Sequence, residues 1–103
     1  MNKYFTKENY YGIMKFVVTY QVKSPEMLIN KLENNVDDEQ DCFEHFTNFK
    51  TKDFLHLYKS HRPFIWYYLS CWIVELWYDY EVAYETTNPK VRKEWYDKYH
   101  LFN

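Results

Sequence analysis

Glycine is almost missing from this chain: Gly12 is the single one in 103 residues. Phosphate-cradling loops and tight hairpins need positive φ at set positions, so the shortage argues against both and costs a helical chain least. Arginine is scarce too, with Arg62 and Arg92 alone, which weakens the case for a nucleic-acid track. Formal net charge is only −2, so neither a general polyanion binder nor a strongly acidic decoy follows from the total. Long apolar runs are also lacking. Phe64 to Val74 is uncharged but stops at Glu75, short of the ~20 residues that span a bilayer, and no membrane association is expected. Cys42 and Cys71 make no metal-type pair, and nothing like a secretory signal precedes them. Free thiols, a reducing interior and a cytoplasmic location are the expectation. Nothing resembles a Walker loop, a dinucleotide fingerprint, a nucleophile elbow or a zinc-ligand array, so neither a cofactor nor enzymatic activity is expected.

What the chain has in excess is aromatic bulk, with twelve Tyr, eight Phe and four Trp. At this length one domain around one core is expected, and rings rather than Leu and Val must fill it. Charge is arranged in alternating blocks: +3 over residues 1–31, −6 over 32–46, +3 over 47–62, −4 over 63–89 and +2 over 90–103.

Prolines punctuate the chain. Ser24-Pro25-Glu26 and Asn88-Pro89 each place a capping residue before proline, the pattern of a helix start. Asp37 or Asp38, Thr51 and Ser60 offer further caps before segments carrying Phe43/Phe46/Phe49, Phe54/Leu55/Tyr58 and a long aromatic stretch. In that stretch Ile65, Leu69, Trp72, Ile73, Leu76, Trp77, Tyr80, Ala83 and Tyr84 recur at steps of three and four, which predicts a helix near 62–87. Its opposite side carries Tyr68, Cys71, Glu75, Tyr78, Asp79 and Val82, a tyrosine–acid face that folding alone does not require. Val91, Trp95, Tyr99 and Phe102 form a C-terminal stripe expected to pack back onto the core.

The segment Thr6 to Lys23 reads two ways. Met14, Phe16, Val18, Tyr20 and Val22 alternate as a strand would, whereas a helix capped by Thr6 would turn Tyr10, Ile13, Met14, Val17 and Val18 inward and Glu8, Lys15, Thr19 and Lys23 outward. The fold expected is mainly α, a compact bundle of five or six helices around the long aromatic one. The alternative is α+β with a strand near 12–22.

Several constellations bear on chemistry. Cys42 and His45 are three apart beside Asp38, Asp41 and Glu44, which would suit a metal or a thiolate–base pair, but a fourth participant is lacking. A buried thiol beside a solvated histidine is the expectation, and no metal site is assigned. His56 and His61, five apart, do not share a helical face. Glu75 and Asp79, one turn apart, would suit paired-carboxylate chemistry, against the plainer reading of a solvated stripe. Lys50, Lys52, Lys59, His61 and Arg62 interleave with Phe54, Tyr58, Phe64 and Tyr67, as single-strand binders do, yet helices turn such rings inward and direct nucleic-acid binding is not expected. Glu33, Asp37, Asp38, Glu39, Asp41 and Glu44 form an acidic patch that, joined to Glu75, Asp79, Glu81 and Glu85, would imitate a phosphate track.

The function expected is a non-catalytic, protein-binding inhibitor, since aromatic anchors ringed by charge are what interface hot spots use. Tyr68, Glu75, Tyr78, Asp79, Trp95 and Tyr96 are its candidate partner-binding residues, with the acidic patch steering encounter. Abundant Lys, Asn, Tyr and Phe fit AT-rich coding, which points to a phage or mobile element and to a larger host protein as the target, namely a bacterial defence or nucleic-acid-processing enzyme, in the manner of an anti-CRISPR protein or DNA mimic. The competing expectations are a self-assembling structural protein that buries its second aromatic face against an identical chain, and a weak single-strand-binding module.

Overall fold

A computed structural model of the chain describes residues 6–34, 36–85 and 88–99. These form α1 (Lys7–Thr19), α2 (Pro25–Glu33), α3 (Asp37–Thr47), α4 (Thr51–Ser60), α5 (Arg62–Glu85) and α6 (Pro89–Lys98), with no strand among the described residues. The ambiguous first segment is helical. Ile13, Met14, Phe16 and Val17 are all buried, a set of both parities that only a helical period brings to one side. The expected contributions of Glu8, Ala83, Tyr84, Glu85 and Phe102 lie outside the described side chains.

Three helix starts fall where the caps put them. Thr6 Oγ1 accepts from the Asn9 amide, Ser24 Oγ from the Met27 amide with Pro25 beginning the helix, and Asn88 Oδ1 from the Lys90 amide. Three others differ. Helix α3 has Val36 at its N-cap and no side-chain cap, and Asp37, Asp38 and Glu39 occupy its first turn, where their negative charge meets the positive end of the helix dipole. Thr51 is the first residue of α4 rather than its cap, and its amide is instead taken by Glu44 Oε2 of α3 at 2.9 Å. Ser60 ends α4, and α5 begins after His61.

Among the described residues two helix ends need left-handed backbone, and neither has glycine. Gln21 adopts φ 52° and Asn48 φ 55°. At the first, the Val22 amide reaches Val17 O at 2.9 Å and the Gln21 amide reaches Val18 O at 3.2 Å, the paired bonds of a Schellman ending. Val22 is buried just beyond it.

The single glycine serves a different purpose. A methyl group at Gly12 would collide with the carbonyl oxygen of Phe46 and stand 2.8 Å from Thr47 Cα, so α1 and α3 cross with their backbones in contact. Asn9 Nδ2 donates to Thr47 O at 2.7 Å across the same junction. Phe16 of α1 meets Phe43 of α3 edge-on, and Phe43 meets Phe54 of α4, so rings carry the core from one helix to the next.

Helix α5, 24 residues long, measures roughly 36 Å, against a longest extent of 42 Å for the molecule. It packs against α1, α2, α4 and α6, with Ile65, Leu69, Ile73 and Leu76 fully buried. Gly12→Ala is expected to lower stability by about 2–3 kcal/mol despite alanine's better helix propensity. Gln21→Gly is expected to raise it by about 0.5–1 kcal/mol by removing left-handed strain. Urea unfolding followed by circular dichroism measures both.

Candidate interaction surface

The flanks of α5 are fastened by polar contacts from its aromatic rings. Trp66 Nε1 donates to Glu26 Oε1 of α2 at 2.6 Å, and that bond, foremost, holds the Glu26 carboxyl below its ordinary value. Trp77 Nε1 donates to Val22 O at 2.6 Å, with Lys23 Nζ 3.3 Å from the same ring's centroid. Trp72 meets Tyr10 of α1 edge-on at 4.9 Å between centroids. Folding therefore uses the inner side and both shoulders of the helix.

The outer side is left over. Seven of the nine exposed large hydrophobic residues among the described residues lie on α5, so this helix alone presents an apolar surface of consequence. Tyr67, Val74 and Tyr78 are 62%, 66% and 67% exposed. With exposed Phe64 and Cys71 they recur at steps of three, four, three and four, a single stripe along the helix. Tyr67, Ser70, Cys71, Val74, Glu75 and Tyr78 line a shallow open groove on it.

Glu75 and Asp79 stand to one side of this stripe, turned towards α6. Lys98 Nζ lies 3.1 Å from Glu75 Oε1 and 2.7 Å from Asp79 Oδ2, and the fully buried Tyr99 donates its hydroxyl to Asp79 Oδ2 at 2.8 Å. Burial pushes the Asp79 carboxyl up, but the bonds from Lys98 and Tyr99 outweigh it and hold the group below its ordinary value of 3.8. Burial and then the Asp79 bond push the Tyr99 hydroxyl well above its usual range. The Asp79 bond, ahead of all other causes, raises Lys98. These two acids fasten α6 to α5.

Among the other expected site residues, Trp95 is 6% exposed and belongs to the core rather than the surface, its ring packed on Tyr80 and Tyr99. The helical period of α6 turns Trp95 and Tyr99 to one side, and that side faces α5. Tyr96 is half-buried beside Trp95. Tyr68 is exposed and packs edge-on against Phe64 and Tyr67.

In the acidic patch Glu33, Asp37, Asp38 and Asp41 are exposed. Glu39 pairs with Lys31 at 3.0 Å. Glu44 is held below its ordinary value chiefly by the Thr51 amide, with Lys50 adding to it. Of the rings in the basic–aromatic segment Phe54 and Tyr58 are buried, whereas Phe64 and Tyr67 are exposed, contrary to the expectation that a helix turns such rings inward, because they fall on the side of α5 away from Ile65 and Leu69. Cys42 is half-buried and His45 exposed, and among the described residues no three His, Cys, Asp or Glu side chains are gathered as metal ligands are. No helix among the described residues is long and apolar enough to cross a membrane.

The sequence reading overlooked Tyr67 and Val74 at the centre of the outer side. Counting helical steps from Leu69 and Leu76 would have found them, because residues half a turn from two buried leucines point away from the core. Comparison with protein-family models, curated proteins and solved structures finds no match to this chain.

Asp79→Asn is expected to cost about 1–2 kcal/mol at neutral pH, since it removes a charged acceptor from a buried hydroxyl. A carboxylate with a lowered folded value contributes stability above its unfolded value near 3.9, and loses it as pH falls through the folded value. The gap between wild type and Asp79→Asn should therefore be full at pH 6 and shrink below about pH 4. Tyr99 and Lys98, both raised, contribute up to about pH 10 and progressively less above it. Urea midpoints of both proteins across pH measure this, and a gap independent of pH would contradict the network.

Proposed function

We propose that this protein is a non-catalytic interaction protein whose working surface is the outer side of α5. One observation carries the reading: Tyr67, Val74 and Tyr78 stand more than three-fifths exposed in one stripe on the helix that otherwise supplies the centre of the core. Side chains of this kind lose favourable burial by standing in water, and large rings with an apolar body and a polar tip are the residues interfaces use as anchors. The non-catalytic part rests on how the acids are used. Glu39, Glu44, Glu75 and Asp79 hold lysines or a helix end, which is structural work.

The same four acids speak for docking in preference to imitation of DNA, because four of the ten acids in the notional phosphate track meet a cation within the molecule. On this reading the action on a larger protein is steric: the stripe seats a helix or groove of the partner and covers whatever lies beneath. Val74→Glu places a charge in the middle of the stripe without touching the core. Capture of a partner from the native cell should be lost with Val74→Glu and kept with His56→Glu, an exposed position on α4. Equal capture by both variants would sink the proposal.

A further inference from the structure

The outer stripe has the spacing of a coiled-coil seam. Phe64, Tyr67, Cys71, Val74 and Tyr78 fall at alternating three- and four-residue steps, the repeat that keeps one edge of a helix facing a partner helix along its length. The docking surface proposed above is thus suited to another helix, and the ends of α5 define which one. Residues 59–74 carry Lys59, His61 and Arg62 and no acid, whereas residues 75–85 carry Glu75, Asp79, Glu81 and Glu85 and no base. The first turn of α5 has no acidic residue and the last turn no basic one, although α2 has both compensating charges. Within α5 itself neither end carries a charge that opposes the dipole; Glu26 of α2 reaches the first turn through Trp66, and a neighbouring helix running the opposite way would add to that compensation.

We infer, on the strength of that docking reading, that in the free protein the stripe is covered by a second copy of this chain, paired through α5 in antiparallel orientation, which a larger partner displaces. A two-fold axis midway between Cys71 and Val74 seats Tyr67 against Tyr78 of the second copy and Cys71 against Val74 of the second copy, each contact occurring twice. Glu81 then lies beside Phe64 in the first turn of the second copy's α5, an anion at a positive helix end. A parallel pair would instead set Glu81 of the two copies side by side and align the two dipoles. The exposed parts of the stripe amount to roughly 1,000 Å² over both copies, near the lower limit for a specific interface, so the pairing depends on concentration.

Sedimentation equilibrium of the full chain from micromolar to several hundred micromolar tests this. Wild type should titrate from monomer to dimer, and Val74→Glu should weaken the dimer at least about tenfold while keeping the helical circular dichroism and melting temperature of the wild type. Orientation is read by spin labels on Val82→Cys in a Cys42→Ser, Cys71→Val background, the valine keeping the seam apolar and the dimer of this background first checked by sedimentation. The antiparallel pair separates the two labelled positions by roughly 28 Å along the axis, whereas a parallel pair brings them within about 10 Å. A wild type that stays monomeric throughout, a Val74→Glu dimer as tight as wild type, or a label distance near 10 Å would each overturn the inference. A monomer would leave the docking proposal intact, because Val74-dependent capture from the native cell is measured separately.

Discussion

The contact between the backbones of α1 and α3 constrains everything else. It exists because position 12 has no side chain, and it is locked by Asn9 on the Thr47 carbonyl. With those helices pressed together, Phe16 and Phe43 meet edge-on and Phe43 reaches Phe54, so rings join three helices within the same core in which α5 buries Ile65, Leu69 and Ile73. Widening the α1–α3 spacing by one methyl group would part the Phe16–Phe43 contact and loosen a close-packed core. The chain keeps its one glycine for close approach, while Gln21 and Asn48 carry the left-handed turns where glycine is usually placed.

Over residues 63–74 helix α5 carries no charge on any side, a composition ordinarily found in helices covered on every side. Here α1, α2, α4 and α6 cover the inner side and shoulders, and no described element covers the remainder. The polar tips of Trp66 and Trp77 are used inwards, on Glu26 and Val22, so the shoulders are closed and the stripe from Phe64 to Tyr78 is sharply bounded. Its boundary on the α6 side is the Lys98 network, where two acids that look from sequence like part of a binding surface instead hold a neighbouring helix.

How far the sequence could be read follows from which signals are local. Caps at Thr6, Ser24 and Asn88, and the three- and four-step recurrence in residues 65–80, act within a turn or two of the chain and were legible. The N-terminus of α4 was not, because its free amide is satisfied by Glu44 from another helix, a partnership that spacing cannot show. Trp95 misled for a related reason: a tryptophan on a short charged helix looks like an anchor until the ring of Tyr80 is known to lie opposite it. Glu75 and Asp79 were correctly placed off the core, but the lysine that occupies them comes from nineteen to twenty-three residues further on. Tyr67 and Val74 were hidden by attention to charge, since neither carries any.

The four tryptophans have a consequence for how this molecule can be watched. Trp66 reads the seam with α2, Trp72 the seam with α1, Trp77 the turn between those two helices, and Trp95 the seam with α6. Each indole therefore sits at a different junction of the same central rod. Three replaced at a time by phenylalanine, they become four separate optical gauges, able to time the arrival of α1, α2 and α6 at α5 during folding.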